Sequence, residues 1–437
     1  MNKNIAVVIL NETQLKNILP CVDELLLKNY EVDIYCNDSD YDIGFKNMFQ
    51  HTRDILSDKY NVYTTPLDKK YKILLEPYPS GMDIKSEYKI RYRYSNISAK
   101  PNIVYKPENY IQYDAILCSG TCDANYLNVY SKTYITANCK YANFKRKKHP
   151  YEKPVLLYLP TYGDESSVDL IYDALEKLKA KYYIVTKLHH GTTFLEHEKK
   201  RIELLKNAVD EIYDSSKDLA DLFSIADVVL TDNSGSIFEA MYVEVPVAVF
   251  CDDINRNKQQ HFNTIQYDLY CENILPYTND INLLAKILKQ AQSEKYFNKQ
   301  KRWAKENFYR PKNVTKDFMD VIGIFMEDKI DKKYYEMHDF FKTYFYNMLN
   351  ENKIEKEKNE YKDIQIKELT NTKDDLNAQI KQLNNQINTL SNQYNQIKEG
   401  KNKTDKELEI LQKQLRFYQT GILYRIANKI YRIKNKK

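Results

Sequence analysis

Glycine is scarce in this chain, with 9 in 437 residues. No G-x-G-x-x-G follows an apolar run and no G-x-x-x-x-G-K-S/T occurs, which disfavours NAD(P) and P-loop ATP chemistry. Seven cysteines are scattered without a C-x-x-C pair. Neither a metal site nor a disulfide framework is therefore expected, and the odd count suits a reducing cytosol. Charge of one sign is also missing: 66 basic residues face 61 acidic ones, too even a balance for a nucleic-acid partner, and no recognition motif for one appears. No apolar run approaches the roughly 20 residues that span a bilayer. Met1 is followed almost at once by the strand-like Ile5-Ala6-Val7-Val8-Ile9-Leu10, so a secretory leader is not expected. These exclusions point to a cytoplasmic protein, long enough for two cores and an appendage.

What is present is an alternation of apolar runs and amphipathic segments, the mark of parallel sheets covered on both faces. In residues 1–150 strands are predicted at 5–10, 31–36, 71–75, 102–105, 115–118 and 133–136, with a helix over 13–27. The basic stretch 145–150 reads as an exposed linker. Residues 151–325 repeat the pattern more cleanly. Strands are predicted there at 155–159, 182–188, 211–213, 228–230 and 247–250, and helices at 167–179, 195–207, 218–225 and 237–243. The fold class is therefore α/β with two Rossmann-like domains, the GT-B arrangement, followed by a C-terminal coiled coil.

An aromatic helix over 326–350 is expected to pack back on the first domain. From Ile366 a heptad register runs through Leu369, Leu376, Ile380, Leu383, Ile387, Leu390, Tyr394 and Ile397 to Leu408, Leu411, Leu415 and Ile422, broken only by Lys373, Lys401 and Thr404. It predicts a coiled coil over 360–419 and a homo-oligomer. The tail 420–437 is basic, with Ile422, Ile426, Ile430 and Ile433 on one stripe, and is expected at an anionic membrane surface.

The segment 228–250 carries most of the chemistry. A buried strand gives way to the polar turn Thr231-Asp232-Asn233-Ser234-Gly235-Ser236, then to a helix bearing Glu239. Unpaired backbone N–H groups at such a junction attract phosphate. Ligands of parallel sheets bind beyond the carboxyl ends of the strands. There the sequence gathers Thr161, Lys187, His189, His190, Asp214, Ser215 and the 231–236 turn.

Five segments occur in one order: Leu159-Pro160-Thr161, Lys187-Leu188-His189, Asp214-Ser215-Ser216 ahead of Asp218-Leu219, Thr231-Asp232 running into Ser234 and Phe238-Glu239, and Val245-Pro246. Together they resemble the CDP-glycerol glycerophosphotransferase family, which builds teichoic-acid and related capsular poly(alditol phosphate) chains. The resemblance covers about residues 151–260. It implies that His189, in a basic-Leu-His segment, lies beside the donor pyrophosphate. It also implies that Thr231 to Glu239 take the place of the family's Thr-Asp-Tyr-Ser-Ser-x-x-Phe-Asp. Ser234 then stands for the first serine, Gly235 for the second with Ser236 following, and Glu239 for the terminal carboxylate. Thr161 matches a Pro-Thr, but the arginine that usually follows is missing. The family's first-domain Trp-His-Gly, whose histidine is a candidate base, is absent; the first-domain histidines are His51 and His149.

The implied reaction is attack of an acceptor hydroxyl on the β-phosphorus of a CDP-alditol, expelling CMP. It calls for positioning, charge neutralisation and a base, with no cofactor beyond the activated donor. His189 is expected at the phosphates. Lys187, His190, Ser215, Thr231, Asp232, Ser234, Gly235, Ser236, Glu239 and Thr161 are expected in the donor site, and Glu76 or Asp83 as base across the cleft. The expected partners are the CDP-activated donor, a glycan or lipid-linked acceptor, and the inner face of the cell membrane. Two other readings are a UDP-sugar 2-epimerase-like enzyme, disfavoured by the lack of arginine in Leu10-Asn11-Glu12-Thr13, and a non-catalytic coiled-coil scaffold.

Overall fold

The computed structural model describes residues 3–36, 43–93, 107–232, 234–251, 265–399 and 405–434. The strand predicted at 102–105, Asn233, Lys401 and Thr404 lie outside the described residues. The chain divides into two compact units, Met1–Lys342 and Thr343–Lys437.

The first unit holds two parallel sheets. One consists of β1 (Asn4–Val8), β2 (Glu31–Tyr35), β3 (Val62–Tyr63), β4 (Tyr71–Glu76), β5 (Ser86–Arg91), β6 (Ala115–Cys118) and β7 (Lys132–Ile135), ordered β3-β2-β1-β4-β5-β6-β7. The other consists of β8 (Val155–Leu159), β9 (Tyr183–Lys187), β10 (Glu211–Tyr213), β11 (Val228–Thr231), β12 (Val247–Phe250) and β13 (Tyr277–Thr278), ordered β10-β9-β8-β11-β12-β13. Every residue of β1, β8, β11 and β12 is buried, as a sheet covered on both faces requires. The strand order reverses between β1 and β4 and between β8 and β11, the switch points where ligand crevices open.

Ile5, Val7 and Ile9 share one core with Ile18, Val22 and Leu25 of helix Glu12–Leu27 and with Phe318, Ile322 and Phe325 of helix Lys316–Met326. The chain therefore returns to the first sheet at 316–326, ahead of the aromatic stretch 326–350. Within that stretch Tyr335 packs on the same core. His338 is buried, its Nε2 3.1 Å from Ser131 Oγ and 3.0 Å from the Tyr130 carbonyl. Phe340 and Phe341 stay exposed.

Strand β5 was not anticipated, because its Tyr-Lys-Ile-Arg run reads as polar. Arg91 is nevertheless buried: its guanidinium donates to the Asn109 carbonyl at 2.7 Å and stacks 4.2 Å from the Tyr110 ring centre. A long apolar stem, one bonded terminal nitrogen and a ring against the guanidinium face let this arginine occupy an interior strand, although its Nε is buried without a partner.

In the second unit the heptad register is carried by two helices, Lys332–Glu399 and Asp405–Lys434. Gln412 Nε2 donates to Tyr394 Oη at 3.0 Å. On one continuous helix these residues would stand about 27 Å apart, at 1.5 Å per residue. The contact therefore requires the helices to run antiparallel, side by side. Burial agrees: Leu376, Ile380, Leu383, Ile387, Leu390, Tyr394 and Ile397 are half-buried, as are Leu408, Leu411, Leu415, Ile422 and Ile426. Ile366 and Leu369 remain exposed. The distal seam is thus closed within the chain, and two isoleucines of the tail's stripe face it.

Spin labels at Gln379 and Asn428 are expected within about two helix diameters, ~22 Å, by electron resonance, against about 70 Å on an unbroken helix. The longer distance would rule out the hairpin.

Candidate active site

The second sheet's switch point is organised by Asp232, which follows β11 and is buried. Its carboxylate accepts from Thr161 N at 2.8 Å, Ser167 N at 3.0 Å and Ser167 Oγ at 3.0 Å. Burial raises its pKa to about 6 against the pull of these donors. Asp232 thus fixes the loop after β8 rather than meeting a ligand. Thr231 is likewise buried, donating to the Leu159 carbonyl at 2.7 Å, with its Oγ1 2.7 Å from Ser236 Oγ. Ser234 Oγ accepts from Ser236 N at 3.3 Å, and Ser234 N donates to the Asp232 carbonyl at 2.7 Å. The turn is pinned from beneath, with half-buried Ser234 and Gly235 on its outer side.

The clamp places Tyr162. Its ring stacks on His189 with centres 4.5 Å apart, and His189 lies 3.9 Å from the His190 ring. Gly191 is required here, because a Cβ would come within 2.5 Å of the Tyr162 ring. His189 caps the short helix His190–Phe194, its Nδ1 accepting from Gly191 N at 3.0 Å. That bond assigns the proton to Nε2, leaving a neutral ring that donates. A continuous series of contacts thus runs from His189 through Tyr162 and Thr161 to Asp232 and the Ser234 turn. Strand β8 lies between β9 and β11, so the two ends of the series stand roughly 10 Å apart, two strand spacings.

Lys187 ends β9. Burial, with repulsion from Lys140 added, pushes its pKa down to about 8, while Glu239, Glu12 and Asp214 oppose the shift. Burial and the neighbouring Lys187 push His190 down to about 4, so it is neutral at pH 7. Ser215 is half-buried past the end of β10, beside Asp214, whose carboxyl its bond to Ser216 lowers.

Glu239 is already engaged: Lys140 Nζ lies 2.8 Å from its Oε1, and both side chains are about one-tenth exposed. Lys140 follows β7, so this pair ties the carboxyl edge of one sheet to that of the other. Lys16 of helix Glu12–Leu27 pairs similarly with Asp218. Both carboxyl edges thus wall one cleft.

The expected bases are placed elsewhere or occupied. Glu76 is buried at the end of β4, accepting from Ser80 N, from Ser80 Oγ at 2.9 Å and from Tyr113 Oη at 3.0 Å. It shapes a loop. Asp83 is exposed two residues before Lys85, whose carbonyl accepts from Tyr71 N, the first residue of β4. Asp83 therefore lies at the amino edge of the sheet and is not brought to the cleft. Lys140, Tyr162, Ser167 and Lys16, which wall or brace the cleft, were missed in the sequence. A basic side chain just past a strand end was the one signal that would have suggested Lys140.

A family model for CDP-glycerol:poly(glycerophosphate) glycerophosphotransferase matches residues 132–352, just over half of the chain. No curated protein sequence matches it. Among solved structures, a putative UDP-N-acetylglucosamine 2-epimerase from Listeria monocytogenes superposes with TM-score 0.50 at 12% identity, covering 75% of this chain and 97% of that one. The wall teichoic acid polymerase TagF gives 0.49 at 15% identity, covering 75% and 90%. MurG of Acinetobacter baumannii gives 0.43 at 11%, covering 73% and 99%. The fold is the two-domain GT-B type.

Removing one partner of a buried ion pair strands the other charge, at about 3–5 kcal/mol. Lys140→Met is expected to lower unfolding stability by that order in urea titration. Adding Glu239→Gln should recover much of the loss, and strictly additive effects would show that the pair does not couple the domains.

Proposed function

Because the chain belongs to the CDP-glycerol:poly(glycerophosphate) glycerophosphotransferase family, and is thereby a transferase, we propose that it moves an alditol phosphate from a CDP-activated donor to a hydroxyl of a glycan or lipid-linked acceptor. The product would be a teichoic-acid-like or capsular polymer. The observation that carries this reading is the contact series from His189 to the Ser234 turn, with the half-buried Lys187 beside it. A diphosphate laid along it would meet the Nε2–H of His189, the charge of Lys187, and the hydroxyls and amides of Ser234 to Ser236. Thr161, Thr231 and Asp232 act by holding this surface. Glu239, paired to Lys140, would present its remaining oxygen to a nucleoside hydroxyl. Ser215 and His190 line the same edge. No cofactor enters the reaction as drawn; the activated donor carries the bond energy.

The epimerase reading shares the fold, and fold alone does not choose a reaction. Family membership favours transfer over it and over a scaffold role. The C-terminal unit extends the proposal. The exposed Phe417, Leu423, Tyr424, Ile430 and Tyr431 stand among Arg416, Arg425 and Lys429 on one helix, suited to an anionic membrane surface. That would keep the enzyme cytoplasmic and peripheral at the inner face, near a lipid-linked acceptor. The exposed Ile366 and Leu369, proximal to the hairpin, are where a second copy would pair.

CDP is expected to raise the melting temperature more than UDP in a thermal-shift panel; equal or absent shifts would remove the donor assignment. Lys187 is cationic below about 8 and neutral above. The dissociation constant for CDP should therefore rise above that pH, by up to roughly tenfold per unit, and Lys187→Arg should flatten the rise. His189→Ala and Ser234→Ala should each cut transfer about 10²-fold or more without loss of folding. Unchanged turnover in either would take that residue out of the site.

A further inference from the structure

The first-domain wall of the cleft contains one imidazole–carboxylate pair. Glu12 is the first residue of helix Glu12–Leu27, just past the end of β1 and beside the first sheet's switch point. His51 Nε2 lies 2.8 Å from Glu12 Oε1; the histidine is 52% exposed and the glutamate 16%. His51 sits on helix Ile43–Ser57, which packs against His190–Phe194, with Phe194 on the Met48 and Phe49 cluster. His189 caps that same short helix. The imidazole therefore stands on one wall of the cleft, beside the helix that carries the proposed pyrophosphate ligand on the other. Glu12 is also close enough to act electrostatically on Lys187.

We propose that His51, oriented by Glu12, is the general base for the acceptor hydroxyl, an assignment that rests on the transfer reaction proposed above. With Nε2–H donated to the carboxylate, Nδ1 carries the lone pair, the two nitrogens exchanging the roles they have in the serine-protease triad. Nδ1 takes the hydroxyl proton as the acceptor oxygen bonds to the β-phosphorus. The bond from that phosphorus to the bridging oxygen breaks, and CMP leaves with the electron pair. The imidazolium, stabilised by Glu12, returns its proton to solvent. Glu76 and Asp83 cannot compete, one being enclosed by its own donors and the other at the far edge of the sheet.

Glu12 faces His51, Lys187 of the second domain lies within electrostatic reach of Glu12, and Arg53 and Asp54 share the helix of His51. The test uses the full chain, CDP-glycerol and a hydroxyl acceptor. His51→Ala and His51→Asn are expected to lower kcat about 10²–10³-fold while leaving the dissociation constant for CDP-glycerol within about twofold. Glu12→Gln should lower kcat less. It should cost nothing further on the His51→Ala background, because the carboxylate acts through the imidazole. A wild-type enzyme that transfers while both His51 variants keep kcat within about threefold would overturn the assignment, as would a Glu12→Gln loss that persists in full on the His51→Ala background. A wild-type chain that neither binds CDP nor turns over CDP-glycerol would sink the transfer reading itself, and the base with it.

Discussion

The buried carboxylate of Asp232 is the constraint on which the rest of the cleft depends. Three donors from the loop after β8 converge on it, and Tyr158 Oη braces Ser167 from below at 2.8 Å. Without this clamp Tyr162 would have no fixed position, and His189 would lose the ring it stacks on. The clamp is not free. A carboxyl whose pKa stands at about 6 when folded, against 3.8 as the reference, costs roughly 3 kcal/mol at neutral pH. The sign follows from linkage: the cost is present above the folded value and disappears below the unfolded one. Stability at neutral pH is given up for a rigid crevice at a switch point, a common exchange at functional sites.

The second sheet was legible in the sequence because its strands are continuous apolar runs ending in polar residues, the pattern a doubly covered parallel sheet demands. The first sheet was less so. Strand β5 hid behind Lys89 and Arg91, whose burial depends on Asn109 and Tyr110, partners nearly twenty residues downstream. The same limit governs the site. His189 and the Ser234 turn announce themselves locally, as short motifs at strand ends. Lys140 gave only its place just past a strand end, and Glu12 and His51 come to the proposed site only because two sheets face each other across the cleft, which no local pattern encodes. Glu76 and Asp83 show the converse, since a turn-rich loop after a strand looks the same whether it enters the cleft or crosses to the opposite edge.

The heptads teach a related lesson. A seam with apolar residues every three and four positions states that something covers it, not what. Here the Tyr394–Gln412 contact shows the distal seam covered by the chain's own next helix. The half-buried apolar positions of the two helices lie on either side of the break that Lys401 and Thr404 make in the sequence register. Proximal to that pairing, Ile366 and Leu369 lie beyond the reach of the shorter helix, which ends at Lys434.

The charges in the cleft explain why so few cations suffice. Lys140 is spent on Glu239, and His190 is neutral, so Lys187 supplies the one cation at the end of β9. Burial and the nearby Lys140 disfavour even this charge. A diphosphate entering beside it would relieve that penalty and raise the lysine's proton affinity, so binding and protonation reinforce each other. Around it the donors are neutral: an imidazole N–H, serine hydroxyls and amides at a strand–helix turn. Dipoles fixed by packing need no reorganisation when negative charge shifts toward the departing nucleotide, and in a partly desolvated crevice they act more strongly than in water. A second full cation beside Lys187 would depress both pKa values further. One titratable cation among fixed dipoles would grip the proposed donor and still release CMP.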